Sequence, residues 1–171
     1  LALVLLSLYV LFNLWHGNID SLILLGAALP PVYGIWLLML KPQMSFVLVL
    51  LWCWRMYRKG RWRPVFWLVG PVGIALLISA ATGLLRAADP AQMVWNTSAW
   101  PWGIPVGLLL AFLAWKKNSD RLAFSAGPFL SPYVAAHSWV VVLLPVLDQP
   151  IVLLVYVLLS WAATLLRYFY T

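Results

Sequence analysis

The sequence predicts an all-α protein, a polytopic integral membrane helical bundle with broken or re-entrant helices. Three observations predict it. Hydrophobic residues make up 65% of the 171 positions and charged residues 9%, with no glutamate at all, and the mean hydropathy is +0.96. The apolar residues come in runs near the ~20 residues that a helix needs to cross a ~30 Å hydrocarbon core. Proline pairs and Ser-Pro steps interrupt several of those runs, where a missing backbone donor breaks a helix. A soluble domain covers much of its exposed surface with charge, and fifteen charged residues are too few for that. A soluble enzyme, a disordered region and a nucleic-acid module are thereby excluded.

The elements follow in order. Leu1 to Trp15 reads as a partial span, and the chain, opening in mid-run, reads as a piece lacking its N-terminal part, with 1–171 forming one transmembrane domain. Ser21 to Leu40 matches one crossing, but Pro30-Pro31 divides it into either a kinked span or two half-helices. The hairpin is the expectation, because each half measures about 14 Å at 1.5 Å per residue and cannot cross alone. Gln43 to Tyr57 is the next span, and Pro64 to Leu85 follows. Arg86 to Gly103 is a polar loop rich in Trp, Pro and Asn. Ile104 to Trp115 is short; Leu122 to Leu147 is interrupted at Gly127-Pro128 and at Ser131-Pro132; Pro150 to Leu166 closes the chain.

The net charge of +7 follows the positive-inside rule rather than a nucleic-acid footprint. Five of the eleven basic residues lie between Arg55 and Arg63 and three between Lys116 and Arg121, so both clusters are assigned to the cytoplasm. The loop with Trp95, Trp100 and Trp102 is assigned outside. The aromatic-basic stretch Trp52 to Trp67 reads as a juxtamembrane anchor that attracts anionic head groups. Asn96-Thr97-Ser98 is a formal glycosylation acceptor, to which no weight attaches in a bacterial chain. Cys53 stands alone, which rules out a disulfide framework. Two histidines without a Glu or Cys cluster argue against bound zinc.

Three polar clusters interrupt the apolar pattern. Asn13, His16, Gly17, Asn18 and Asp20 form either an interfacial turn, with Gly17 as the permissive backbone and Asn18 or Asp20 as a helix cap, or the lining of a site. Lys41-Pro42-Gln43 must end the incoming helix near Lys41. Its ammonium is then either a snorkelling anchor or a compact point charge for an anion such as phosphate, with Gln43 adding an amide donor. Ser131-Pro132-Tyr133, with His137 and Trp139, marks a broken helix of the kind that lines polar cavities in transporters and membrane enzymes. His137 is a base, a phosphate ligand or a hydrogen-bonded structural group.

In this order, His16-Gly17-Asn18-Ile19-Asp20, Leu40-Lys41-Pro42-Gln43 and Leu130-Ser131-Pro132 with His137 and Trp139 resemble the family-87 membrane glycosyltransferases of the C superfamily, in the C-terminal part of their transmembrane region. The resemblance implies an enzyme of the bacterial plasma membrane that moves a hexose, often mannose, from a polyprenyl-phosphate-linked donor to a glycolipid or glycan on the outer face. It implies Lys41 and Gln43 at the carrier phosphate, Asn18 and Asp20 in the cavity lining, and His137 as a second polar wall. No cofactor or metal is implied; the partners are the lipid-linked sugar and membrane lipids. The general base of the superfamily usually lies in a first outer loop that this chain does not contain, so the catalytic residue is unassigned and an isolated copy is expected to be inactive. Two other readings stand beside this one: a transporter or channel fragment, and a non-catalytic membrane scaffold.

Overall fold

The computed structural model describes residues 2–60, 62–81 and 96–170. Arg61 and residues 82–95, with Arg86 and Trp95, lie outside them. Among the described residues every regular element is helical: α1 (Ala2–Leu5), α2 (Leu8–His16), α3 (Asp20–Ala28), α4 (Pro31–Leu38), α5 (Pro42–Arg58), α6 (Trp62–Ala81), α7 (Ile104–Lys117), α8 (Asp120–Leu130), a 3₁₀ helix (Ala136–Val146) and α9 (Pro150–Tyr170). The sole β feature among them is a bridge between Asn96 and Ala135.

The first apolar run is split, which corrects the single partial span read from Leu1 to Trp15. Ser7 adopts extended backbone as the N-cap of α2, and its carbonyl takes the Leu11 N–H at 3.0 Å. A serine at that position favours a helix start over a helix interior.

Pro30 is extended and Pro31 opens α4 at its first position, where a missing N–H costs nothing. The chain therefore turns back on itself, and α3 and α4 lie side by side. Glycine makes that approach possible. A Cβ on Gly34 would overlap the Gly26 carbonyl oxygen, and one on Gly26 would stand 2.9 Å from the Gly34 carbonyl oxygen. The hairpin thus brings its two ends, Asp20 and Lys41, together.

The core is built by α5, α8 and the 3₁₀ helix, with Leu48, Leu51, Phe124, Val141 and Leu143 fully or almost fully buried. α8 passes so close to α5 that a Cβ on Gly127 would overlap the Met44 carbonyl oxygen. The interruption expected at Gly127-Pro128 does not occur: α8 runs through Pro128 to Leu130. Proline there removes one hydrogen bond only two residues before the helix ends, so the penalty falls on a last turn that is already weak.

After Ser131, which is extended, the chain returns as the 3₁₀ helix. Ser125 at mid-α8 donates its hydroxyl to the Val141 carbonyl at 2.8 Å, and Arg121 at the start of α8 pairs with Asp148 beyond the 3₁₀ helix, so the two run antiparallel. At about 2 Å rise per residue, eleven 3₁₀ residues reach about 22 Å where an α-helix of the same length reaches about 16 Å.

Among the described residues no single helix is long and apolar enough to cross a membrane. The bent pair Leu8–Trp15 and Asp20–Ala28, at 111°, meets the length and composition together.

Candidate functional site

The site forms where three helix ends converge. α2 stops because Gly17 takes a left-handed conformation (φ 57°) and gives its N–H to the Asn13 carbonyl, which Asn18 also reaches at 3.2 Å. The chain reverses and Asp20 opens α3. The interfacial-turn reading is corrected in one detail: neither Asn18 nor Asp20 caps α3, whose N-cap is Ile19 without a side-chain bond. The Asp20 carboxylate points instead into the protein, 2% exposed, on the positive end of the helix dipole.

Lys41 sits before Pro42, the first residue of α5, in non-helical conformation (φ −139°, ψ 78°), as a residue preceding proline must. The carbonyl left by the end of α4 is met by Ser45, which donates to Leu38 O at 2.8 Å. The Lys41 ammonium is therefore free to turn to Asp20, at 2.6 Å.

The third arm is held by its own scaffold. Asn96 accepts the Val134 N–H at 3.1 Å and donates to the Pro132 carbonyl at 3.1 Å, and Ser98 donates to the Ser131 carbonyl. Thr97 accepts the Trp139 indole N–H at 3.0 Å. These bonds fix the Ser131-Pro132 element so that the 3₁₀ helix begins at Ala136 and presents His137 and Ser138. The formal glycosylation asparagine is thus a structural clamp. Asn13, 4% exposed, donates to the His137 carbonyl at 2.9 Å and to the Tyr9 carbonyl at 3.2 Å, tying α2 to this turn.

The cluster then closes on itself. Ser138 donates its hydroxyl to Asp20 Oδ2 at 2.9 Å and accepts from Lys41 Nζ at 3.2 Å. His137 Nε2 lies 3.3 Å from both Asp20 Oδ2 and Lys41 Nζ. A neutral His137 with a bare Nε2 accepts from Lys41; one carrying hydrogen there donates to Asp20. The Asp20 side chain is 3% exposed, Lys41 17% and His137 22%. The Lys41 and His137 side chains are thus partly exposed, while the carboxylate is hidden.

The structure brings together three of the five candidate residues, Lys41, Asp20 and His137. Asn18 contributes backbone bonds only, and Gln43, half-buried in the first turn of α5, is outside the hydrogen-bonded set. Ser138 and Asn13 were not singled out as ligands. Their signal in the sequence was slight: a serine beside His137, and an amide at the end of an apolar run. Among the described residues no three His, Cys, Asp or Glu side chains converge for a metal ion.

Comparison of the chain with protein-family models, with curated proteins and with solved structures finds no match.

Proposed function

We propose that the chain is part of an integral membrane glycosyltransferase that transfers a hexose from a polyprenyl-phosphate carrier, and that the Lys41–His137 face receives the carrier phosphate. The observation that carries this reading is the gradient of exposure in the cluster: the Lys41 and His137 side chains are partly exposed and the Asp20 carboxylate is buried. With His137 protonated the cluster has one net positive charge, the complement of a phosphodiester.

Transfer joins the acceptor hydroxyl oxygen to the anomeric carbon and breaks the bond from that carbon to the phosphate oxygen, which leaves with the electron pair. The departing phosphomonoester carries more negative charge than the diester it came from. Lys41 and a protonated His137 are placed to stabilise that added charge, which is where electrostatic catalysis acts. The hydroxyl proton goes to a base other than Asp20, both of whose oxygens are already engaged by Lys41, Ser138 and His137.

Membrane placement is supported by the apolar side chains that α6, α7 and α9 expose, among them Phe66 and Trp67 at 71% and Ile151 at 77%, a surface unlike that of a water-soluble monomer. α5, at 17 residues about 25 Å long, separates the cluster at its start from the basic residues at its end. With the basic end cytoplasmic, the cluster lies toward the outer face, and the nine-residue α3 enters about 13 Å before the hairpin returns.

The test is Asp20→Asn combined with Lys41→Met in the full-length protein, because Lys41→Met alone leaves a buried carboxylate without its counter-charge. The double variant removes the ammonium together with its counter-charge and leaves the net charge of the cluster unchanged, so membrane insertion should be normal while sugar transfer from the lipid-linked donor falls at least about a hundredfold. Normal transfer would return Lys41 to a snorkelling anchor. A second reading is favoured by the buried ion pair beside a broken hairpin, an arrangement that also serves ion-coupled transport; an upstream half repeating this one in inverted topology would select it.

A further inference from the structure

At the far end of α5 the two basic clusters, about sixty residues apart in sequence, form one surface. Arg55 bonds Asn118 through its side-chain and backbone oxygens at 2.5 and 2.6 Å and pairs with Asp120 at 2.6 Å. Trp54 meets Trp115 at 5.4 Å between ring centres, Tyr57 at 5.9 Å, and Tyr57 meets Trp62 edge-on at 4.6 Å. An unbroken aromatic row thus joins α7, α5 and α6, with the Arg58 guanidinium 6.0 Å over the Trp54 ring.

The described carboxylates at this end, Asp120 and Asp148, are committed to Arg55 and Arg121. Arg58, Lys59, Arg63, Lys116 and Lys117 form no ion pair among the described residues. Beside them an open groove of about 410 Å³ is lined by Ala111, Phe112, Trp115 and Lys116, with Phe112 63% exposed.

We propose that this surface binds an anionic phospholipid, its phosphodiester headgroup on Arg58, Lys59, Lys116 and Lys117 and an acyl chain in the Ala111–Phe112–Trp115 groove. Charge complementarity selects the anionic headgroup. The apolar groove selects a lipid over a soluble anion, because a free phosphate makes no use of Phe112 and Trp115. The proposal rests on the membrane reading, not on the sugar-transfer reading.

The test is binding of dioleoylphosphatidylglycerol, dioleoylphosphatidylcholine and inorganic phosphate to the detergent-purified chain, read by thermal stabilisation. Phosphatidylglycerol should stabilise at roughly tenfold lower concentration than phosphatidylcholine, with an effect that weakens as salt is raised. Lys116→Gln with Lys117→Gln, exposed and outside every ion pair among the described residues, should remove most of that preference. Phe112→Ala should weaken both lipids alike. Equal response to the two lipids, equal response to inorganic phosphate, or a preference that survives the lysine changes overturns the lipid site. A chain that leaves the detergent phase for water overturns the membrane reading, and the lipid site with it.

Discussion

The Asp20–Lys41 and Arg55–Asp120 ion pairs have the same length, 2.6 Å, and opposite meaning. Asp20 is 3% exposed and is surrounded by Ser138 and His137, whereas the Asp120 side chain is 41% exposed and lies near cations that form no ion pair among the described residues. A buried pair costs much to form and more to break, because removing one partner strands the other charge. An exposed pair is screened and is worth about 1 kcal/mol or less. Distance alone does not separate a site from a surface clamp; the surroundings do.

The largest expected effect is at the buried pair. Asp20→Asn alone should destabilise the protein by about 3 kcal/mol, since Lys41 loses its only carboxylate among the described residues, and adding Lys41→Met should recover most of the loss. Unfolding in mixed detergent micelles measures both; additive losses would mean that the two charges are not coupled.

Second in size is the hairpin that delivers Asp20. Gly34→Ala inserts a methyl into the Gly26 carbonyl and should cost about 2 to 3 kcal/mol. Cysteines at positions 20 and 41 should then cross-link more slowly than in the parent carrying the same pair. An unchanged cross-linking rate would place the hairpin's strength elsewhere than in the Gly26–Gly34 contact.

At the other end the same operations should do little. Arg55→Gln should cost about 1 kcal/mol, part of it from the Asn118 bonds rather than the ion pair. Arg121→Gln removes a pair with partners 51% and 78% exposed and should stay within about 0.5 kcal/mol, vanishing in high salt. A loss at Arg121 as large as that at Asp20 would abolish the contrast between the two regions.

Much of this was legible in the residues themselves. Helix ends at Gly17, Pro30-Pro31, Lys41-Pro42 and Ser131-Pro132 follow from local rules, because a left-handed glycine or a missing N–H acts within one turn. The helical class follows from composition together with the length of the apolar runs. Gly127-Pro128 misled because the same local rule weighs less near a helix end, and where α8 ends depends on the strand-like clamp from Asn96 to Ser98.

What only the tertiary structure decided is which polar groups meet. Asp20, Lys41, His137 and Ser138 are spread over 118 positions, and no periodicity relates them. They converge because Gly26 and Gly34 let two half-helices touch, and because a 3₁₀ helix, stretched relative to an α-helix, starts beside them. The sequence by itself marked Asp20, Lys41 and His137 as polar groups that interrupt the apolar pattern, each with an interfacial or structural alternative to a role in a site. It left open that they are partners of one another, because that pairing is set by distances between elements, which depend on backbone packing and not on any local preference.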